Sequence, residues 1–181
     1  ESDYAEATVN FWQDCDGEWG GSAFVNACDY CVEGYTGFDE NYCGTVTDID
    51  GNEYETVIIG NQVWMAENLK TTNYRDGTAI PNITDNSEWY GLSTGAYCAY
   101  HNNESNADTY GYLYNWYAVD DSRNIAPEGW HVATDDEWKE LEMYLGMSES
   151  EADNTGWRGT NEGSKLAGNA DLWPIGALEN D

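Results

Sequence analysis

Residues 46–65 read VTDIDGNEYETVIIGNQVWM, and this stretch decides the fold class. Val46, Ile49 and Tyr54 flank Asp50-Gly51, a dipeptide that favours a two-residue hairpin turn. Thr56-Val57-Ile58-Ile59 then meets Gly60-Asn61 and Gln62-Val63-Trp64-Met65, predicting a second hairpin with glycine first in its turn. Successive hairpins make antiparallel strands. Asp48, Asp50 and Asn52 could mimic a calcium loop, but turn chemistry alone accounts for them.

Working towards the carboxyl end, residues 73–93 contain few aliphatic side chains and read as long loops. Residues 97–116 are strand-like at both ends, around the polar loop His101-Asn102-Asn103-Glu104-Ser105. Tyr110, Tyr112 and Tyr114 alternate, which places them on one face of an extended strand. Such a face stacks on sugar rings or builds a core; a chain this poor in aliphatics needs it for core. One main helix is predicted at about 134–146. Thr134 is its N-cap and Glu137 completes a capping box, Trp138, Leu141 and Leu145 follow at helical spacing, and Gly146 stops it. Ser148-Glu-Ser-Glu151 starts a second, short helix. The expected class is α+β, with many short antiparallel strands and long loops.

Composition agrees with a folded domain. Val, Ile, Leu and Phe total only 26 of 181 residues, but 9 Trp and 14 Tyr add large apolar surfaces. Nineteen glycines against three prolines indicate tight turns rather than an extended linker. Six basic and 35 acidic side chains give a net charge of −29. That balance excludes nucleic-acid binding, which needs a basic surface to replace phosphate counterions, and disfavours anionic membranes. No apolar run is long enough to insert in a bilayer.

Towards the amino end the composition changes. Residues 14–44 carry Cys15, Cys28, Cys31 and Cys43 among Gly, Asp and Tyr, with too few aliphatics for a core. Two disulfides are the natural reading, in any of three connectivities. A zinc site needs two close ligand pairs and only Cys28-x-x-Cys31 is close; a thioredoxin-like site needs a helix where Val-Glu-Gly-Tyr-Thr-Gly follows. Asp14, Asp16, Asn26 and Asp29 beside these cysteines are candidate calcium ligands, or else turn residues in water. Residues 1–13 form an extended arm, ESDYAEATVNFWQ, that lacks the apolar core of a secretion signal. A mature secreted chain and a cytosolic one both fit, and disulfides favour the extracellular side.

Four motifs carry a resemblance: VTDIDGNEYETVIIGNQVWMAENLKTTNYRDGTAIP, YGYLYNWYAV, APEGWHVATDDEWKELEMYLG and GWRGTNEGSKLAG. Over about Val46–Leu166 the chain resembles the Fibrobacter succinogenes major paralogous domain, and GWHVATDDEW is similar to the helix of C-type-lectin-like folds, including the formylglycine-generating enzyme group. The resemblance implies a bacterial secreted or surface domain over residues 45–181, lectin-like in fold, usually without assigned activity. It also implies further strands and a late cysteine partner for Cys98. On that pattern Cys98 is unpaired and the domain is incomplete at its carboxyl end.

For function, His101 and His131 lack a partnered nucleophile at motif level, and one cysteine in the main domain does not make the pair an oxidase needs. No enzyme is expected. The leading expectation is an extracellular structural subunit of a filament or appendage, in which Tyr4, Val9, Phe11 and Trp12 of the arm add to the sheet of another copy. The alternative is a polysaccharide-binding or adhesive lectin-like module. Calcium is the one cofactor expected. Asn82-Ile-Thr84 and Asn103-Glu-Ser105 match the glycosylation acceptor pattern.

Overall fold

The structure is a computed structural model that describes residues 13–18, 21–38 and 40–167. Its first element is a ribbon of two short antiparallel strands, β1 (Phe24–Val25) and β2 (Cys31–Val32). Two disulfides staple it: Cys15–Cys31 and Cys28–Cys43, with Cα separations of 5.7 and 5.4 Å. Cys43 already belongs to the main sheet. That sheet orders β3 (Tyr42–Thr47), β4 (Glu53–Ile59) and β5 (Gln62–Met65) side by side, all antiparallel. β3 therefore runs through residue 45, where composition divides the chain.

Period-two burial explains β4: Tyr54 and Thr56 are buried while Glu53 and Glu55 are exposed. β3 carries a bulge between Tyr42 and Thr45, at Gly44. Gly44 has φ +88, and a Cβ there would collide with the Tyr30 hydroxyl, so glycine is required.

The β4–β5 hairpin is as predicted, with Ile59 opposite Gln62 across Gly60-Asn61. The β3–β4 hairpin is not. Asp50-Gly51 does not form a two-residue turn: Asp48 N–H bonds Asn52 C=O at 3.0 Å, leaving three residues between, with Gly51 at φ +85. The cause is the Asp48 side chain, which is buried and holds the longer loop. Its Oδ1 accepts the N–H groups of Asp50 and Asn52 at 3.0 and 2.9 Å; its Oδ2 accepts Asn52 Nδ2 at 2.9 Å and the Tyr54 hydroxyl at 2.6 Å. Tyr54 in turn accepts the Lys70 N–H at 2.8 Å, and Asp50 accepts from Thr72 and Asn73. Both aspartates of the calcium-like loop are thus bound to the protein itself.

After the sheet comes α1 (Asn86–Tyr90), inside the stretch read as loop. Asp85 caps it, but with five residues and none buried it leaves no periodic signal. β6 (Tyr97–Ala99) then pairs with β7 (Tyr112–Tyr114), around two 3₁₀ turns and α2 (Ala107–Tyr110). Tyr112 and Tyr114 share a face, as expected, but Tyr110 does not join them. It ends α2, and Gly111 turns the chain at φ +66 between the two elements. The core is aromatic, with Tyr74, Ile80, Tyr97, Ala118 and Ile125 buried together and Tyr112 and Tyr114 packed against them. The Tyr97 and Tyr112 rings lie 4.6 Å apart.

After α3 (Trp116–Val119), the main helix α4 (Asp135–Leu145) has the predicted Thr134–Glu137 capping box and ends at Gly146. The predicted short helix follows as α5 (Glu149–Ala152), then α6 (Glu162–Leu166). The fold is therefore mixed α and β, with small antiparallel sheets, few helices and two disulfides.

Removing the Asp48 carboxylate strands a buried hydroxyl and two N–H groups. Asp48→Ala should cost about 2–4 kcal/mol of stability, and Asp48→Asn, which keeps an acceptor, less. Urea unfolding followed by tryptophan fluorescence checks this; equal midpoints for Asp48→Ala and the parent would contradict it.

Candidate functional site

A groove of about 530 Å³ opens along β5. One wall is β5 with residues 67–69, the other is the loop 126–133, and the first turn of α4 closes the end. Trp64, Trp130 and Trp138 give it an aromatic lining, and the rings of Trp64 and Trp138 lie 5.0 Å apart. Gln62 ties strand to helix by donating from Nε2 to the Glu137 carbonyl at 3.1 Å, while its Oε1 accepts the Trp64 indole N–H at 3.1 Å.

Arg75 shapes the far wall from behind. Its guanidinium donates to the carbonyls of Ala126, Pro127 and Trp130, with Nη2 distances of 2.9, 2.6 and 2.7 Å. Planar guanidinium geometry lets one side chain gather three carbonyls, fixing a loop that has no regular structure of its own.

The amide, carboxylate and imidazole side chains of the groove each make at least one contact with the protein. Gln62 is spent as described; Glu67 pairs with Lys70 at 3.1 Å; Asn68 donates to the Tyr110 carbonyl at 3.0 Å. His131 Nε2 meets Glu137 Oε1 at 2.7 Å, and Glu137 Oε2 takes the Thr134 N–H and hydroxyl at 2.8 Å each. These bonds, led by those from Thr134, hold the Glu137 carboxyl down at about 2.

The groove leaves backbone groups open. A two-residue hairpin closes on a hydrogen-bonded pair, here Ile59 and Gln62, so bonded pairs recur at Val57–Trp64 and Glu55–Ala66. The N–H and C=O of Val63 and Met65 then point away from β4, and no described residue bonds them. Side chains from both faces of β5 line the groove, so it runs along this open edge.

The other sites predicted from sequence lie elsewhere. Asp14 accepts N–H groups of Glu18 and Ala23, Asp16 that of Tyr35, and Asn26 those of Cys28 and Tyr30. Asp29 is an exposed turn residue at φ +63. Asp14 and Asp16 are neighbours, both reaching the Glu18 N–H, but Asn26 and Asp29 form a separate turn. Among the described residues no three His, Cys, Asp or Glu side chains gather as a metal site. Cys98 is a free thiol on β6, its pKa pushed up by burial. Asn82 donates to Glu104 at 2.9 Å, and Asn103 caps the turn at Ser105. Tyr4, Val9, Phe11 and Trp12 lie outside the described residues.

Comparison with known families places most of the chain. Residues 57–180 match the family described as the Fibrobacter succinogenes major domain. The chain belongs to this family. The match starts within β4 rather than at Val46, and the groove-lining residues all fall inside the Fibrobacter major domain. Neither the curated proteins nor the solved structures compared gave a match.

Two outcomes follow from the groove's construction. Arg75→Ala leaves the carbonyls of buried Ala126 and Pro127 without a donor and should cost about 2–3 kcal/mol, roughly 5–10 °C in Tm. Calorimetry reads this, and an unchanged Tm would refute it. The Glu137 pKa lies below its unfolded value of 4.5, so its contribution is complete above about pH 4.5 and is lost as pH falls towards 2. Amide exchange in the first turn of α4 should accelerate over that window relative to the last turn, and Glu137→Gln should abolish the step.

Proposed function

We propose that this chain is a non-enzymatic extracellular bacterial surface protein, a structural subunit of a filament or appendage built by strand exchange between copies. Its main domain, in this reading, is C-type-lectin-like. The observation that carries it is the groove: an apolar, tryptophan-lined trough beside an unpaired strand edge. For catalysis the groove offers only the His131–Glu137 pair, and no Ser, Thr, Cys, Lys or Tyr nucleophile is among its lining residues. An extended polypeptide needs what this groove supplies, a backbone ladder beside pockets for alternate side chains. The two disulfides and the heavily acidic, soluble surface suit an extracellular setting.

A second reading, saccharide binding, is favoured by the indole of Trp138, which remains 44% exposed beside Trp64. Sugar recognition combines stacking with convergent hydrogen-bonding groups, and Gln62, Asn68 and Glu137 in the groove are engaged with the protein, so this reading stands second.

Sedimentation velocity over a range of protein concentrations, with calcium and with a chelator, tests the choice. Species larger than the monomer should appear and grow with concentration. A monomer under every condition would end the assembly reading, and retention of that monomer on a polysaccharide column would favour the second.

A further inference from the structure

We infer that residues 7–11 of one copy add as a strand to the open edge of β5 in another. This rests on the assembly reading above and names the donor, the acceptor and the register they share. On the acceptor side, Val63 and Met65 present two N–H and C=O pairs, spaced by two residues, about 6.8 Å. Another extended backbone presents donors and acceptors alternating at that same repeat.

The donor is chosen by charge and pattern. No Lys or Arg lines the groove, whereas Glu67 and Glu137 do, so an acidic segment is repelled. In a chain of net charge −29, residues 7–13, ATVNFWQ, carry no charge. Ala7, Val9 and Phe11 fall on one face of an extended strand and Thr8 and Asn10 on the other, matching an edge with an aromatic trough on one side. Residues 168–181 fit worse, because Asp171 and Glu179 are acidic and Pro174 lacks the N–H a ladder needs.

Exchange between copies, rather than insertion into the same chain, follows from where the arm departs. Asp14 sits in the disulfide module, fastened to β3 by Cys28–Cys43 and by Asn26 Nδ2 on the Tyr42 carbonyl at 2.6 Å. A strand beyond β5 is three interstrand spacings from β3, about 14 Å. The three residue steps from Phe11 to Asp14 reach at most about 11 Å. With so short a reach from the module, the donor is assigned to an acceptor on another copy, and such a head-to-tail contact builds rings or open fibres.

The test uses two variants of the full chain. Phe11→Asp spoils the donor and leaves the acceptor. Val63→Pro removes an outward N–H, costs β5 none of its bonds to β4, and leaves the donor. Each alone should sediment as a monomer with the parent's circular dichroism. Mixed in equal amounts they should form a two-chain complex that grows no further, because one donor and one acceptor remain intact. If the parent assembles and Phe11→Asp assembles equally well, the donor assignment is wrong while assembly stands. If both variants are monomers and their mixture stays monomeric, the pairing of this arm with this edge is wrong. If Val63→Pro misfolds, Phe11→Asp alone decides, since it changes none of the groove-lining residues. A monomeric parent defeats the assembly reading itself.

Discussion

The buried carboxylate of Asp48 is the constraint on which the domain depends. A charged group at 7% exposure is tolerable only when its lone pairs are filled, and four donors fill them. Those donors reach from the loop to Tyr54, and through Tyr54 to Lys70, so one side chain sets both the hairpin's length and the path of the chain leaving the sheet. Asp50 extends the same lacing to Thr72 and Asn73, one residue before the core tyrosine Tyr74 and two before Arg75. The register of the sheet, the aromatic core and the groove wall are thus set in one short run of sequence.

What the sequence made legible was local. The Gly60-Asn61 turn, the Thr134 capping box and the strand ends at Tyr97 and Tyr114 are written in neighbouring residues, and the structure keeps them. The two-residue turn at Asp50-Gly51 was a misreading, because a side chain two positions earlier competes for the same backbone N–H groups and wins by burial. Tyr110 was misplaced because period-two spacing cannot reveal a glycine kink between elements. Short α1 could have been found from Asp85 and Glu88, its cap and first-turn acid, though not from periodicity.

The groove was not legible at all. Its walls come from 62–69, 126–133 and 137–138, and they are joined by the Arg75 fork, which lies in none of those stretches. Of the tryptophans at 64, 130 and 138, the first lies far from the other two in the sequence. Only their convergence around an unpaired edge distinguishes a lining from an interior. Of the candidate calcium ligands, Asp14 and Asp16 share the Glu18 N–H, whereas Asn26 and Asp29 belong to a separate turn.

The interlaced disulfides have a mechanical meaning. The bridges Cys15–Cys31 and Cys28–Cys43 overlap in sequence, so a pull on the amino end travels from Cys15 across sulfur to Cys31, back three residues to Cys28, and across sulfur into β3. That covalent route is taut at about 20 Å, whereas the same stretch without bridges would pay out to about 100 Å before loading the sheet. Tension therefore enters the main domain almost directly, at Cys43 on β3, and the module acts as a short tether instead of a spring.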